Sequence, residues 1–87
     1  MNIKYHKNFI KNFKKRYGSN PKIKKRYKER LKLFIKNPND PVLLDHSLKG
    51  KKIKTRAFSI AGDIRVTYTK IGSKFLFLDI GTHNQVY

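Results

Sequence analysis

The sequence predicts an α+β domain in the order β-α-α-β-β-β, with an N-terminal strand and a two-helix hairpin packed on an antiparallel β-sheet. Three observations lead there. Apolar residues in the first half recur at helical spacing among lysines, and the second half is rich in β-branched and aromatic residues between glycine turns. The two patterns do not interleave, which puts helices on one face of a sheet rather than between parallel strands. The chain has 87 residues, 38% of them hydrophobic, with six Phe and five Tyr. That content suits one folded domain over residues 1–87, and a chain of this size buries roughly 60% of its unfolded surface, or slightly more.

Ile3 and Tyr5 alternate with polar neighbours and read as a first strand of about four residues. From His6 the period changes, and Phe9, Ile10, Phe13 and Tyr17 form a helical stripe from about 7 to 17, with Gly18 as its stop signal. Asn20-Pro21 has the form of an N-cap followed by proline at the first helical position, where a missing N–H costs nothing. Ile23, Tyr27, Leu31, Phe34 and Ile35 then make a second stripe, which Asn37-Pro38 ends. Three strands follow, over 56–61, 63–70 and 74–80. Ala61-Gly62 and Gly72-Ser73 form the turns, and the first strand is a possible added edge.

Two stretches carry candidate chemistry. In the middle strand Ile64, Val66 and Tyr68 share one face, so Asp63, Arg65 and Thr67 share the other and Arg65 points away from the helices. The connection from Pro41 to Lys52 is long enough to imply a function or a short extra strand. Leu43, Leu44 and Leu48 are its expected anchors, and Lys49-Gly50-Lys51-Lys52 is a basic turn. Asp45-His46-Ser47 within it also fits plain turn chemistry.

Charge sets the partner class. Twenty-two Lys+Arg against five Asp+Glu give +17. Residues 1–37 hold fourteen of the basic residues against Glu29 alone, hence +13, whereas residues 38–87 hold eight against Asp40, Asp45, Asp63 and Asp79, hence +4. A field of this sign gathers polyanions in a salt-dependent way, with nucleic acid or ribonucleoprotein the expected partner and anionic lipid the rival. The longest apolar stretch falls far short of the roughly 20 residues of a membrane helix. No apolar run follows the N-terminal lysines as in a secretory signal, so a cytoplasmic protein without a membrane partner is expected. Cysteine is absent, and three histidines with five acids offer no evident metal site.

The element order resembles the RelE/ParE toxin superfamily, most of all its YafQ-type mRNA interferases. The likeness rests on Leu43-Leu44-Asp45-His46-Ser47-Leu48-Lys49-Gly50, Arg56-Ala57-Phe58-Ser59, Gly62-Asp63-Ile64-Arg65-Val66-Thr67-Tyr68 and the terminal Gly81-Thr82-His83. It spans nearly the whole chain. The helical half is generic, and the Asp-His-Ser-Leu and Gly-Thr-His segments are the specific part.

The resemblance implies a RelE-like fold and the toxin of a type II toxin–antitoxin pair, one that enters the ribosomal A site and cuts mRNA through attack by the RNA's own 2′-hydroxyl. Its implied partners are the ribosome with its rRNA, mRNA, and a cognate antitoxin with an acidic toxin-binding segment. No metal or cofactor is implied. His46 falls on the family's loop histidine, Asp63 on its strand acid, His83 on its terminal-strand histidine and Tyr87 on its final aromatic, more often phenylalanine. Arg65 falls where RelE-type relatives keep a phosphate-binding arginine. Ser59 stands where the YafQ pattern has another histidine, and Ile64 where it has tryptophan.

These residues define an expected catalytic set of His83, Arg65, Tyr87, His46 and Asp63, with Lys49, Lys51, Lys52, Lys54 and Arg56 as the RNA-binding group. His83 is the expected acid or base, since an imidazole can both take and give a proton near neutrality. Arg65 and the lysines would offset transition-state charge, and Tyr87 would stack on a base. A non-catalytic RNA- or ribosome-binding protein, and a ParE-like inhibitor of DNA gyrase, are the alternatives on the same fold.

Overall fold

The computed structural model describes residues 1–50 and 54–87. The chain opens with strand β1 (Asn2–Tyr5), and at His6 the ring Nδ1 accepts the Asn8 N–H at 3.0 Å, capping helix α1 (Lys7–Tyr17). Phe9 and Tyr17 turn inward, whereas Ile10 is 58% exposed and drops out of the expected stripe. Gly18 ends the helix without a left-handed cap. Its φ is −58°, and its N–H donates to Lys14 O at 3.0 Å. Helix α2 (Pro21–Lys36) starts as expected, with Asn20 Oδ1 accepting the Ile23 N–H at 3.1 Å.

After a 3₁₀ turn at Pro41–Leu43 come β2 (His46–Ser47), β3 (Thr55–Ala61), β4 (Ile64–Ile71) and β5 (Lys74–Gly81). The order across the sheet is β1-β5-β4-β3-β2. The meander β3–β4–β5 is antiparallel as expected. The first strand adds an edge to it, and β1 pairs parallel to β5, Ile3 opposite Phe75 and Tyr5 opposite Phe77. Parallel neighbours need a long crossover, and here the two helices and strands β2 to β4 all lie between β1 and β5 in the chain. The connection before β3 contributes a fifth strand, β2, with His46 opposite Ala57.

The helices cover the face that carries Phe58, Val66, Tyr68 and Phe77. Fully buried Phe34 of α2 stacks on Phe58 at 4.6 Å between centroids and meets Tyr68 edge-on at 5.1 Å. Such ring pairs add about 0.5–1.5 kcal/mol beyond the area they bury. A polar clasp fixes α1 against the end of β5. Asp79 Oδ1 accepts from Asn12 Nδ2 at 2.8 Å and Arg16 Nη1 at 3.2 Å, and Arg16 Nη1 also donates to Ile80 O at 2.7 Å. On the opposite face Thr55, Ser59, Thr67 and Thr69 are buried too, so that face has a lining of small polar side chains. No helix among the described residues is long and apolar enough to cross a membrane.

Candidate active site

The C-terminal segment leaves β5 at Gly81 and closes one helical turn, α3 (His83–Val86). His83 therefore opens a helix, two residues beyond the end of β5. The cause is local. Gln85 Oε1 accepts the Thr82 N–H at 2.8 Å, and Asp63, from the β3–β4 turn, accepts the His83 N–H at 3.2 Å on Oδ2. A carboxylate at a helix N-terminus satisfies an amide that the helix cannot.

One turn places His83 and Tyr87 on the same side, four residues apart. Their rings meet edge-on with centroids 4.2 Å apart, and the Tyr87 N–H donates to His83 O at 3.0 Å. The last residue is thus tied down. Its hydroxyl reaches across to His46, 3.2 Å from Nε2, with those ring centroids 6.1 Å apart.

The histidine tautomer follows from its other contact. His46 Nδ1 lies 3.0 Å from Leu44 O. A carbonyl oxygen only accepts, so Nδ1 carries the proton and, in the neutral ring, Nε2 keeps a lone pair. Tyr87 therefore donates its hydroxyl to His46. Burial pushes the Tyr87 hydroxyl above its ordinary pKa, against a downward pull from Arg65 and with a smaller upward push from Asp63.

Arg65 stands on β4 opposite Ser59 of β3 and Gly81 of β5, on the face away from Phe58, Val66 and Tyr68. His46 is opposite Ala57 on that same face. The structure therefore gathers His46, Asp63, Arg65, His83 and Tyr87 around α3. Beside Tyr87 and His46 opens a cleft of about 570 Å³, which Ser47, Leu48, Lys49 and Gly50 complete.

The basic group divides. Lys49 lines the cleft, and Lys54 is exposed, its carbonyl accepting from Thr69 Oγ1 at 2.7 Å. Arg56 is not brought to Arg65. It lies opposite Tyr68 on the helix side of the sheet, and its Nε donates to Asp45 Oδ1 at 2.6 Å. Lys51 and Lys52 lie outside the described residues. Of the expected loop anchors, Leu43 is fully buried while Leu44 is 60% exposed. Asp45 is the anchor the sequence reading missed, for its second oxygen accepts the Tyr68 hydroxyl. Its only signal in the sequence is its place before His46.

A family model described as the bacterial toxin of type II toxin–antitoxin system, YafQ, matches residues 1–87. No curated protein sequence matches significantly. Among solved structures, a copper-bound mutant toxin from Helicobacter pylori is 28% identical with a TM-score of 0.79, the match covering 100% of this chain and 99% of that one. The DinJ–YafQ complex from E. coli gives 23% and 0.80, covering 99% and 97%. A YoeB/ParE toxin from Agrobacterium tumefaciens gives 12% and 0.76, covering 95% and 99%. The last two bear on fold alone, and both match the fold described above over nearly the whole chain. With a family model matched from end to end, the chain belongs to the YafQ toxins of bacterial type II toxin–antitoxin systems.

Proposed function

We propose that this toxin is a ribosome-dependent endoribonuclease that cuts mRNA by metal-independent acid–base catalysis and so stops translation. One observation carries the reading: two histidines and a tyrosine share a hydrogen bond and ring contacts on the sheet face that also presents Arg65.

Cleavage needs three things done. The 2′-hydroxyl must lose a proton as its oxygen bonds to phosphorus, the phosphoryl oxygens must hold extra charge, and the departing 5′-oxygen must gain a proton as its bond to phosphorus breaks. His46 Nε2 takes the first proton through the Tyr87 hydroxyl, which gives its own proton to that nitrogen as it accepts the one from the 2′-hydroxyl, and His83 handles the other proton. Arg65 with Lys49, Lys51, Lys52 and Lys54 offsets the charge, since preorganised cations act where charge develops. Tyr87 gives a ring for stacking on a base, and Asp63 holds His83 in place. Arg56 acts through Asp45 rather than on RNA. Among the described residues no group of three or more His, Cys, Asp or Glu is placed to hold a metal. No step passes through one.

The basic helices would seat the toxin on rRNA in the A site. An antitoxin with an acidic binding segment would neutralise it, as the pairing in the E. coli DinJ–YafQ complex supports. The test is primer extension on a defined mRNA with translating ribosomes. The wild type should cut at fixed codon positions, and His83→Ala should lower the rate by about 10²-fold or more. Undiminished cleavage by His83→Ala would sink the catalytic assignment. Inhibited DNA supercoiling without RNA cleavage would move the protein to the gyrase class.

A further inference from the structure

We infer that Asp45, locked between Tyr68 and Arg56, is a positioning residue that fixes the tautomer and direction of His46 through the carbonyl of Leu44. It rests on the reading of His46 as the proton acceptor in RNA cleavage. Asp45 has a side chain only 8% exposed and uses both oxygens. Oδ1 accepts from Arg56 Nε at 2.6 Å, and Oδ2 accepts the Tyr68 hydroxyl. Tyr68 cannot yield, because it is 3% exposed and its ring is held by Phe34 and Phe58.

Just before this clamp lies one strained residue, whose carbonyl meets the histidine. Leu44 has φ 51° and ψ 36°, and it is the one residue other than glycine with a positive φ among the described residues. Such a backbone persists only where its surroundings over-determine it. Here they do on both sides. Before it, Leu43 is fully buried, Asp40 caps the 3₁₀ turn by accepting the Val42 N–H at 2.9 Å, and Arg30 Nη1 donates to Val42 O at 2.9 Å. After it comes Asp45. Held at both ends, Leu44 turns its carbonyl onto His46 Nδ1, which leaves Nε2 as the acceptor facing Tyr87.

The clamp explains why a buried carboxylate precedes an exposed histidine. A side chain that only stabilised the sheet edge would not need to define where the next residue's proton sits. Nor does Arg56 stand with Arg65, since it takes the helix-side face and closes the clamp.

The experiment is long-range ¹H–¹⁵N NMR of His46 in the full chain, beside single-turnover cleavage of ribosome-bound mRNA. Tyr68→Phe removes only the hydroxyl and keeps the ring packing. Asp45→Asn keeps the shape and removes one acceptor. In the wild type Nδ1 should be protonated and Nε2 bare. In both variants the tautomers should mix, and the cleavage rate should fall about tenfold or more at unchanged ribosome affinity, as small misplacements of a reacting group do. If Asp45→Asn does not fold, Tyr68→Phe carries the test alone. An unmixed tautomer in the folded variants overturns the inference, and so does a mixed tautomer with undiminished cleavage. A wild type with a fixed tautomer that mixes in the variants, but with no RNA cleavage, upholds the clamp and overturns only the endoribonuclease reading.

Discussion

Replacing Gly81 with alanine should uncouple the end of the sheet from the site. Gly81 is not among the residues with positive φ, so space and not backbone conformation demands glycine there. A Cβ at this position would lie 2.6 Å from Gln85 Oε1, 2.7 Å from Arg16 Nη1 and 3.0 Å from Gln85 Cβ. The Gln85 amide can swing away, but the Thr82 N–H then loses its acceptor at 2.8 Å. The Cβ to Cβ approach asks more, because relief there moves the α3 backbone by several tenths of an ångström. Arg16 must also leave Ile80 O, which it holds at 2.7 Å.

The magnitude follows from those contacts. Loss of a helix cap costs about 0.5–2 kcal/mol. A hydrogen bond to a charged group is worth about 1.5–3 kcal/mol when shielded, less here because the Arg16 side chain is 23% exposed. Some relaxation is free, so the net is about 2 kcal/mol, or a Tm lower by roughly 8–16 °C for a domain of this size. Activity should suffer separately. Tyr87 sits at the far end of the displaced turn, so its bond to His46 breaks first and cleavage should fall about tenfold well below the Tm. Thermal unfolding followed by circular dichroism, with primer extension at a temperature where the variant is folded, measures both. A Gly81→Ala protein with the wild-type Tm would refute the packing argument. One that is destabilised yet cleaves at full rate would refute the dependence of the site on α3.

Tyr87→Phe keeps the ring beside His83 and removes the hydroxyl on His46, so cleavage should fall a fewfold, in line with one partly exposed hydrogen bond of about 0.5–1.5 kcal/mol. Tyr87→Ala should lose the stacking as well, worth about 1–3 kcal/mol per base, and primer extension of the two variants separates the contributions. Reversing several helix charges together, for instance Lys24, Lys25 and Lys28 to Glu, should abolish sedimentation with ribosomes at physiological salt, while a single reversal should do little. Burial raises the phenols of Tyr27 and Tyr68 above their ordinary value of 10.0. At these two groups the folded state then holds more protons than the unfolded one above about pH 10, so their contribution to stability should be level below that pH and fall above it. Urea unfolding across that range checks it, and Tyr68→Phe should flatten part of the slope.

The elements legible in the sequence are those with enough residues to show a period. The two helical stripes, the Asn20-Pro21 start and the three strands of the meander all stand where alternation and turn chemistry place them. What was not legible depends on partners far away in sequence. The parallel pairing of β1 needs four residues to find β5, and nothing within Asn2–Tyr5 encodes direction. β2 has two residues and α3 four, too few to show any period. The outward set of Arg65 follows from alternation, whereas the role of Asp45 depends on Tyr68, 23 positions away. His83 and Tyr87 stand out in the sequence as candidates, but the helical turn that joins them needs Asp63 and Gln85 in place.

The same contacts account for the unbalanced charge. All four aspartates are at joints of the fold. Asp40 caps the turn before β2, Asp45 clamps the His46 loop, Asp63 receives the first amide of α3, and Asp79 clasps α1 to β5. Their oxygens face N–H and O–H donors of the chain, and two of them neutralise one arginine each, Arg56 and Arg16. Of five acids, then, only Glu29 holds no such joint among the described residues, while twenty-two Lys and Arg set the field. A polyanion approaching the helical half meets almost no carboxylate that repels it. The restriction of acid to structural joints therefore serves two ends together. It fixes the geometry around His46 and His83, and it leaves a field attractive to polyanions nearly uncancelled.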